Sequence, residues 1–349
     1  MTRPRIQDVA ERAGVSITTV SHVLNGHPRA RVAPATAERV RRAAAEAGYV
    51  PNPLARGLRT RRSHTIGFLG DVIATTPFAV GLVEAAQEAA WRRGHLLFLL
   101  NTGGDVELER AAVAALQQQQ VAGIVYATMY HRVVSVPEGL GPNAVLLDCR
   151  TVEGGYRSVV PDERQGAHDA VSELLALGHR RIGFLNDELA PEAAHLRLRG
   201  YREALAEYDV RFDPRLVRAS FPDASGGARA AAGLLDQPTD SWPTAIFCFN
   251  DRMAMGVYGT ARRLGLQIPQ DVSIVGFDDM EYLAAEIDPP LTTVALPHRE
   301  MGRSAVEKLL DEPAGADPPT RIEPVLVPCP LVRRNSVGPP PPRASRGAR

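Results

Sequence analysis

The chain has 349 residues, which is enough for two or three domains with hydrophobic cores. Hydrophobic residues make up 44% and charged residues 23%, and no apolar run is long enough to span a membrane, so the composition predicts a globular protein and excludes a membrane protein. Basic and acidic residues balance overall, but residues 1–62 hold 12 arginines against 4 acidic residues, a net charge of +8. A basic N-terminal segment on an acidic remainder is typical of a protein whose first segment binds nucleic acid. The alternative explanation of this charge is an ordinary solvated surface.

The three cysteines, Cys149, Cys248 and Cys329, lie far apart in the chain. Their number and spacing fit neither a zinc site nor a disulfide framework. The first ten residues, MTRPRIQDVA, lack the apolar segment of a secretory signal. We therefore expect a protein of the reducing cytoplasm that carries no metal and no other cofactor.

Residues 1–50 are predicted to form three short helices. Gly14 suits the left-handed conformation that follows the first helix, and Gly48 suits the same place after the third. Ser16 can cap the second helix, and Pro34 is acceptable in the first turn of the third. The helices are expected at residues 6–13, 17–25 and about 35–47.

Residues 51–63 are predicted to form a linker with a short hinge helix. From residue 64 onward, apolar strands alternate with helical patterns, which is typical of a doubly wound parallel sheet. The letters IGFL occur at 66–69 and again at 182–185, which indicates two similar α/β lobes in tandem. Helices of this part are expected at residues 78–93, 105–120, 194–207, 225–236, 251–264 and about 298–311.

The predicted core covers residues 64–335. Because the segment PPLTTVAL and the helix after it are expected to return to the first lobe, that lobe is assigned residues of about 64–160 and 292–325. The second lobe is assigned residues 161–291. Residues 336–349 are rich in proline and charge, and are expected to be disordered.

The second helix has one apolar stripe and an opposite polar face. At 100° per residue, Val20, Val23 and Leu24 fall together on the stripe. A helix of this kind, joined to the preceding helix by a tight turn, is the groove-reading half of a helix-turn-helix motif, and an ordinary helical hairpin is the alternative. The residues expected to face a DNA major groove are Ile17, Thr18, Ser21, His22 and Asn25.

The segment IQDVAERAGVSITTVSHVLNG resembles the N-terminal signature of the lactose-repressor (LacI/GalR) family of transcription regulators. RVRRAAAEAGYVPNPLARGL resembles that family's third helix and hinge, and the similarity continues in the family's order through GHRRIGFL, RLRGYREAL, FNDRMAMGV, SIVGFDD and PPLTTV. It covers nearly all of residues 5–332. The resemblance implies an all-α helix-turn-helix head and a two-lobed, periplasmic-binding-protein-like α/β core that forms a homodimer on a near-palindromic operator.

Three positions of the head and hinge stand out against the family pattern. Leu58 matches the leucine that the family's hinge helices insert into the minor groove, but Gly57 beside it weakens that helix. Ala33 stands where the family usually places a serine cap. His22 stands where the family most often has arginine, so we expect a weaker, single base contact and an operator that differs from the common half-site.

The resemblance also places an effector site in the core, where ligands bind beyond the carboxyl ends of the strands. Arg197, Asn250 and Asp278 match family contacts to the effector, and Asp148 matches less securely. Fixed charged and amide groups suit a polyhydroxylated ligand. Each of these residues has the role of a loop cap as its alternative.

An enzyme is not expected, because the chain has no phosphate-binding P-loop, no GxSxG elbow and no HExxH motif. We expect a cytoplasmic, nucleoid-associated repressor whose operator affinity is controlled by a small effector, a sugar. The effector acts by favouring one arrangement of the lobes. Family members respond to effectors with either sign, and a cytoplasmic sugar- or nucleoside-binding protein without DNA regulation is the alternative.

Overall fold

The computed structural model of the protein describes residues 4–24, 32–49, 64–76, 79–235, 242–311 and 322–342. The chain divides into two compact units between residues 64 and 65, an N-terminal head and a larger core. Among the described residues, no helix is both long enough and apolar enough to cross a membrane.

The described part of the head consists of helices α1 (Ile6–Ala13), α2 (Ile17–Leu24) and α3 (Pro34–Ala47). Gly14 and Gly48 adopt the expected left-handed conformation, with φ of 62° and 65°. Ser16 caps α2, since its Oγ accepts a hydrogen bond of 3.1 Å from the Thr19 amide. Ala33 offers no side-chain cap to α3. Local chemistry therefore sets the helix ends as the sequence predicts.

The predicted apolar stripe of α2 packs into the small core of the head. Val20 is completely buried there, and Val23 and Leu24 lie against the same cluster. Val9 of α1 and Val40 of α3 supply the opposing surfaces. Burial of this stripe, with small alanines on the facing helices, joins the helices into one unit.

The first lobe of the core is a parallel sheet with helices on its faces. Its strands are β1 (Thr65–Gly70), β2 (Leu96–Asn101), β3 (Ile124–Val133), β4 (Ala144–Arg150), β5 (Arg157–Pro161) and β11 (Val325–Val327). They lie in the order β11-β5-β4-β3-β1-β2, and every pairing is parallel. Its helices are α4 (Val80–Arg92), α5 (Val106–Gln118) and α10 (His298–Asp311).

The second lobe repeats this plan. Its strands are β6 (Ile182–Asp187), β7 (Val217–Ser220), β8 (Ala245–Cys248), β9 (Ser273–Asp278), β10 (Thr292–Ala295) and β12 (Leu331–Val332), in the order β12-β10-β9-β8-β6-β7. Only the short β12 runs antiparallel to its neighbour. Its helices are α6 (Glu163–Ala176), α7 (Glu192–Glu207), α8 (Ala224–Leu235) and α9 (Asp251–Arg263). The two IGFL segments lie in β1 and β6, which occupy equivalent places in the two sheets.

Two predicted boundaries differ from the structure. Residues 292–295, assigned by sequence to the first lobe, form β10 and pair with β9 of the second lobe, so the chain returns to the first lobe only after this strand.

Residues 336–342 are not a free tail. Ser336 is fully buried, where its Oγ accepts from the Thr292 amide (2.8 Å) and donates to the Ile274 carbonyl (2.6 Å). Composition missed this because the segment is held by backbone and hydroxyl hydrogen bonds rather than by an apolar pattern.

Candidate nucleic-acid interface and effector cleft

The solvent face of α2 carries most of the predicted DNA-contacting side chains that the structure describes. Ile17 is 42% exposed although it is a large apolar residue, and Thr18 is also exposed. His22 is half-buried at the last turn. Asn25 and the hinge residue Leu58 lie outside the described residues. An exposed apolar and hydroxyl surface on a short helix suits contact with base edges in a major groove.

Ser21 differs from the prediction, because it is only 4% exposed and does not belong to the solvent face. On the helical wheel it lies about 60° from Leu24, at the margin of the apolar stripe. Packing of α2 against its neighbours covers that margin. The helical period places Ser21 next to the polar face of α2, but the packing of the three helices buries its side chain.

A narrow cleft, called the cavity below, lies between the two lobes of the core. It forms where the carboxyl ends of β3, β4 and β9 meet α7. The first lobe contributes Met129, Tyr130, His131 and Asp148. The second lobe contributes Glu163, Ala193, Arg197, Phe249 and Asp278. Three of the four predicted effector residues, Asp148, Arg197 and Asp278, therefore meet in one cavity.

Arg197 is the only arginine or lysine in the lining of this cavity, and it is tightly held. Its Nε donates to Glu163 Oε2 over 2.6 Å, and an Nη1 hydrogen bond goes to the Phe249 carbonyl. The guanidinium also lies 3.5 Å from the Phe277 ring centroid. Burial alone would lower the pKa of Arg197, but Glu163 outweighs it and the pKa is raised, so the side chain stays charged. Its orientation is set before any ligand binds.

Asp148 lies two residues before the end of β4 and Asp278 ends β9, and both have left-handed backbone, with φ of 58° and 111°. Such conformations are unfavourable outside glycine and concentrate at ligand sites. Burial raises the pKa of both carboxyls well above the ordinary value; nearby Glu163 adds to this for Asp148, whereas Arg197 opposes it for Asp278. These carboxyls can therefore both donate and accept hydrogen bonds toward a ligand.

His131 lies on the floor of the same cavity and is 3% exposed. Neither of its ring nitrogens has a hydrogen-bond partner among the described residues, and the same holds for Oδ1 of Asp148. Burial lowers the pKa of His131, so its imidazole is neutral near pH 7. A buried polar group without a partner costs about 1 to 3 kcal/mol, which makes these atoms candidates for ligand contact.

Asn250, the fourth predicted effector residue, has a structural role. It is the N-cap of α9: its Oδ1 accepts from the Met253 amide over 2.8 Å, and its Nδ2 donates to the Pro222 carbonyl over 3.1 Å. It does not line the cavity. The sequence left open a capping role in a loop, and in the structure Asn250 caps a helix instead of lining the cavity.

Two polar contacts cross the cleft between the lobes. Arg150 of β4 pairs with Glu192 of α7 over 2.7 Å, and Arg252 Nη2 lies 3.4 Å from the hydroxyl of Tyr130 in β3. These contacts link the first-lobe sheet to helices of the second lobe. Any ligand that changes the distance between the lobes must change them as well.

Sequence reasoning missed several residues of the cavity, above all Glu163, whereas His131 lies in the stretch 128–132 that follows a predicted strand. Glu163 follows β5 in PDER, and strand β5 and helix α6 were both absent from the predicted elements. His131 follows an irregular stretch of β3 in which the register against β4 shifts between Ala127 and Arg132. The sequence signal that could have indicated such residues is a charged or imidazole side chain close to the end of a strand. Among the described residues, no group of three or more His, Cys, Asp or Glu side chains could hold a metal ion.

Comparison with known proteins agrees with both units of the chain. Residues 5–52 match the family model for bacterial regulatory proteins, lacI family, and residues 171–337 match the periplasmic binding protein-like domain. The chain is 35% identical over 307 residues to the ribose operon repressor of Haemophilus influenzae, which covers 87% of this chain and 90% of that protein. It is 33% identical to the transcriptional repressor PurR of Vibrio atlanticus, over 91% of this chain and 94% of that protein.

Among solved structures, the lac repressor dimer bound to operator and the anti-inducer ONPF matches with a TM-score of 0.76 and 28% identity. That match covers 96% of this chain and 99% of the other. Head, core and their order along the chain are thus shared over nearly the full length. The chain belongs to the lacI family of bacterial regulatory proteins and is a DNA-binding transcriptional regulator with a ligand-binding core.

Proposed function

We propose that the protein is a repressor whose affinity for operator DNA is controlled by a small effector, a sugar, bound in the cavity between the lobes. The observation that carries this proposal is the meeting of Asp148, Arg197 and Asp278 in one cavity, in a chain that also holds a helix-turn-helix head. Carboxyls and a guanidinium that converge from two lobes can bracket the hydroxyls of a sugar. The similarity to a ribose operon repressor supports the same ligand class.

The proposed control is a linkage between two equilibria. Asp148 belongs to the first lobe, whereas Arg197 and Asp278 belong to the second, so an effector that contacts all three binds best at one distance between the lobes. A ligand shifts an equilibrium only by its differential affinity for the two states. The effector therefore alters operator affinity by changing the population of lobe arrangements, and it need not be chemically changed in the cleft.

We propose that the regulator acts as a homodimer in the cytoplasm, on nucleoid DNA. The core exposes large apolar side chains that a monomer would leave in water, among them Leu96, Phe98 and Leu99 on the edge strand β2. Trp91 in the preceding helix is 70% exposed. Two copies joined by symmetry would present two heads to a near-palindromic operator, as expected for a helix-turn-helix protein.

The proposed DNA contacts are Ile17, Thr18 and His22 on α2, with Asn25 and Leu58 added from the sequence. Ser21 is left out because it is buried. Ile17 and Thr18 favour apolar contact, for example with a thymine methyl group, and His22 makes a single contact where arginine would make two. The half-site read by this helix is therefore expected to differ from the one common in the family.

Selection of binding sites from random DNA, followed by fluorescence anisotropy on the selected site, tests this proposal. We expect a near-palindromic site, a Kd that rises steeply with salt, and a change in that Kd when a sugar is added. Gel filtration with light scattering should give a dimer. Failure to select any site, or an operator affinity that no sugar or nucleobase changes, would contradict it.

A further inference from the structure

His131 and Asp148 both belong to the first lobe, at the point where the register between β3 and β4 shifts. After the shift Arg132 is opposite Cys149, and His131 and Asp148 directly precede these two residues in the chain. Both line the cavity. Resting on the proposed function, we infer that this pair is a specificity-determining contact that selects an uncharged, hydroxyl-bearing effector and rejects anionic ligands such as sugar phosphates and sugar acids.

The first argument is the unused hydrogen-bonding capacity of the pair. His131 is 3% exposed and Asp148 is 6% exposed, yet both nitrogens of the imidazole and Oδ1 of the carboxyl lack partners within the described part of the chain. By contrast, the buried Asp71 accepts a hydrogen bond from the Met129 amide and pairs with Arg132. The His131–Asp148 pair thus faces the cavity with its donors and acceptors free.

The second argument is the charge of the cavity wall. The one arginine in the lining, Arg197, is already neutralised by Glu163 at 2.6 Å. The remaining ionisable groups of the wall carry negative charge or are neutral. They are the carboxyls Asp148 and Asp278, the hydroxyl of Tyr130, and the imidazoles of His131 and His298, whose pKa values burial lowers. In every protonation state of these carboxyls, the wall offers an anion no unpaired cation.

The other arginines around the cleft have partners of their own. Arg132 pairs with Asp71, and Arg150 pairs with Glu192. Arg252 donates to the neutral oxygens of the Pro222 carbonyl and the Tyr130 hydroxyl and does not line the cavity. A phosphate or carboxylate that entered would lose its hydration without gaining a charge partner.

A hydroxyl group meets the requirements of the pair. A neutral imidazole has one donor and one acceptor nitrogen, and a carboxyl in the same wall adds further acceptors or a donor, so hydroxyls of one ligand can satisfy both side chains. An anionic group would find no unpaired cation in the wall to offset its lost hydration. A wall that leaves the wrong ligand without a charge partner is a common source of specificity.

Isothermal titration of the full-length protein with matched ligands tests the inference. Each of D-ribose, D-galactose and D-glucose is compared with its phosphate ester and with its aldonic acid, under the same buffer and salt. We expect at least one neutral sugar to bind and both of its anionic derivatives to bind about tenfold or more weakly. An anionic derivative that binds as well as its parent sugar, or a panel in which no neutral sugar binds, would overturn the inference.

Two variants test whether the pair makes the contact. For the neutral sugar that binds tightest, H131F and D148N should each raise Kd about tenfold or more. H195F makes the same exchange at an exposed histidine of α7 and should leave Kd unchanged. Because H131F removes two unpaired buried nitrogens, its ligand-free form should unfold at the same or a higher temperature, which separates lost binding from lost folding. Unchanged Kd in both variants would overturn the inference.

The outcome for the proposed function is read separately, by operator binding. If the inference fails because a phosphate ester binds and shifts operator affinity, the protein remains an effector-controlled regulator with a different ligand class. If no operator is selected from random DNA while a neutral sugar binds through His131, the proposed function fails and the inference about the cavity stands.

Discussion

Glu163 and Arg197 form an ion pair of 2.6 Å with side chains that are 2% and 3% exposed, and this pair joins the first turn of α6 to α7 at the wall of the cavity. Glu163 holds the guanidinium in the orientation that a ligand would meet. The pair therefore contributes both to the packing of the second lobe and to the preorganisation of the site.

Replacing Glu163 with glutamine should destabilise the core strongly. The substitution leaves the Arg197 charge buried without its partner, for which a cost of about 3 to 5 kcal/mol is usual. Urea unfolding followed by circular dichroism measures it. The matched control is Glu107→Gln, which breaks the exposed pair of Glu107 with Arg110 and should change stability by less than about 1 kcal/mol. Equal effects of the two variants would show that burial of the Glu163 pair does not matter.

The two faces of α2 should respond differently to truncation. Ile17→Ala removes an exposed side chain from the proposed DNA surface, so it should weaken operator binding with little effect on unfolding. Val20→Ala removes buried volume and should destabilise the head by about 1 to 3 kcal/mol. Anisotropy with operator DNA and thermal unfolding separate the two effects. A large loss of stability in Ile17→Ala would argue against its assignment to the DNA surface.

Two glycines three residues apart in α9 should respond to alanine with opposite signs. A Cβ at Gly256 would lie 2.0 Å from the Ala224 carbonyl of α8, so Gly256→Ala must push the two helices apart. A Cβ at Gly259 would meet nothing within 4 Å, and Gly259→Ala should stabilise the helix by about 0.5 to 1 kcal/mol. Denaturant unfolding of the two variants checks this, and destabilisation by both would contradict it.

His298 should make the core less stable in mild acid. Burial lowers the pKa of His298 to about 4 in the folded protein, below its ordinary value of 6.5, so the unfolded chain binds more protons between these values. The contribution of neutral His298 to the free energy of unfolding is complete above pH 6.5. It is lost as the pH falls toward 4, by up to about 3 kcal/mol.

His298→Asn should therefore flatten the fall in unfolding free energy between pH 6.5 and 4. Thermal and urea unfolding at several pH values measure the slope. His195→Asn, at an exposed position of α7, serves as the matched control and should leave the slope as it is in the original protein. A slope that His298→Asn does not change would show that another group causes the loss in acid.

Much of the fold was predictable because local chemistry determines it. Gly14, Gly48 and Ser16 mark helix ends by backbone conformation and capping, and the structure places them as expected. The apolar strands and the IGFL repeat predicted two similar parallel sheets. The packed residues 336–342 were not predictable in this way, because Ser336 is held by partners in strands far away along the chain.

The candidate site was predictable only in part, for the same physical reason. Arg197, Asp148 and Asp278 follow from the family resemblance and from their places at strand and helix ends. Asn250 and Ser21 have the right chemical type, but the structure uses one as a helix cap and buries the other. No sequence pattern relates Glu163 to Arg197, 34 residues away.

By itself, the sequence determined the family, the helix-turn-helix head, the two-lobed α/β class and the chemical types that reach the strand ends, because these depend on local periodicity, capping and motif order. Only the tertiary structure decided which of those groups share a cavity, which partners they already have, and which donors and acceptors remain for a ligand. Burial and pairing arise between residues that are distant in the chain. The burial of the His131 imidazole without a partner among the described residues is a property of that packing alone.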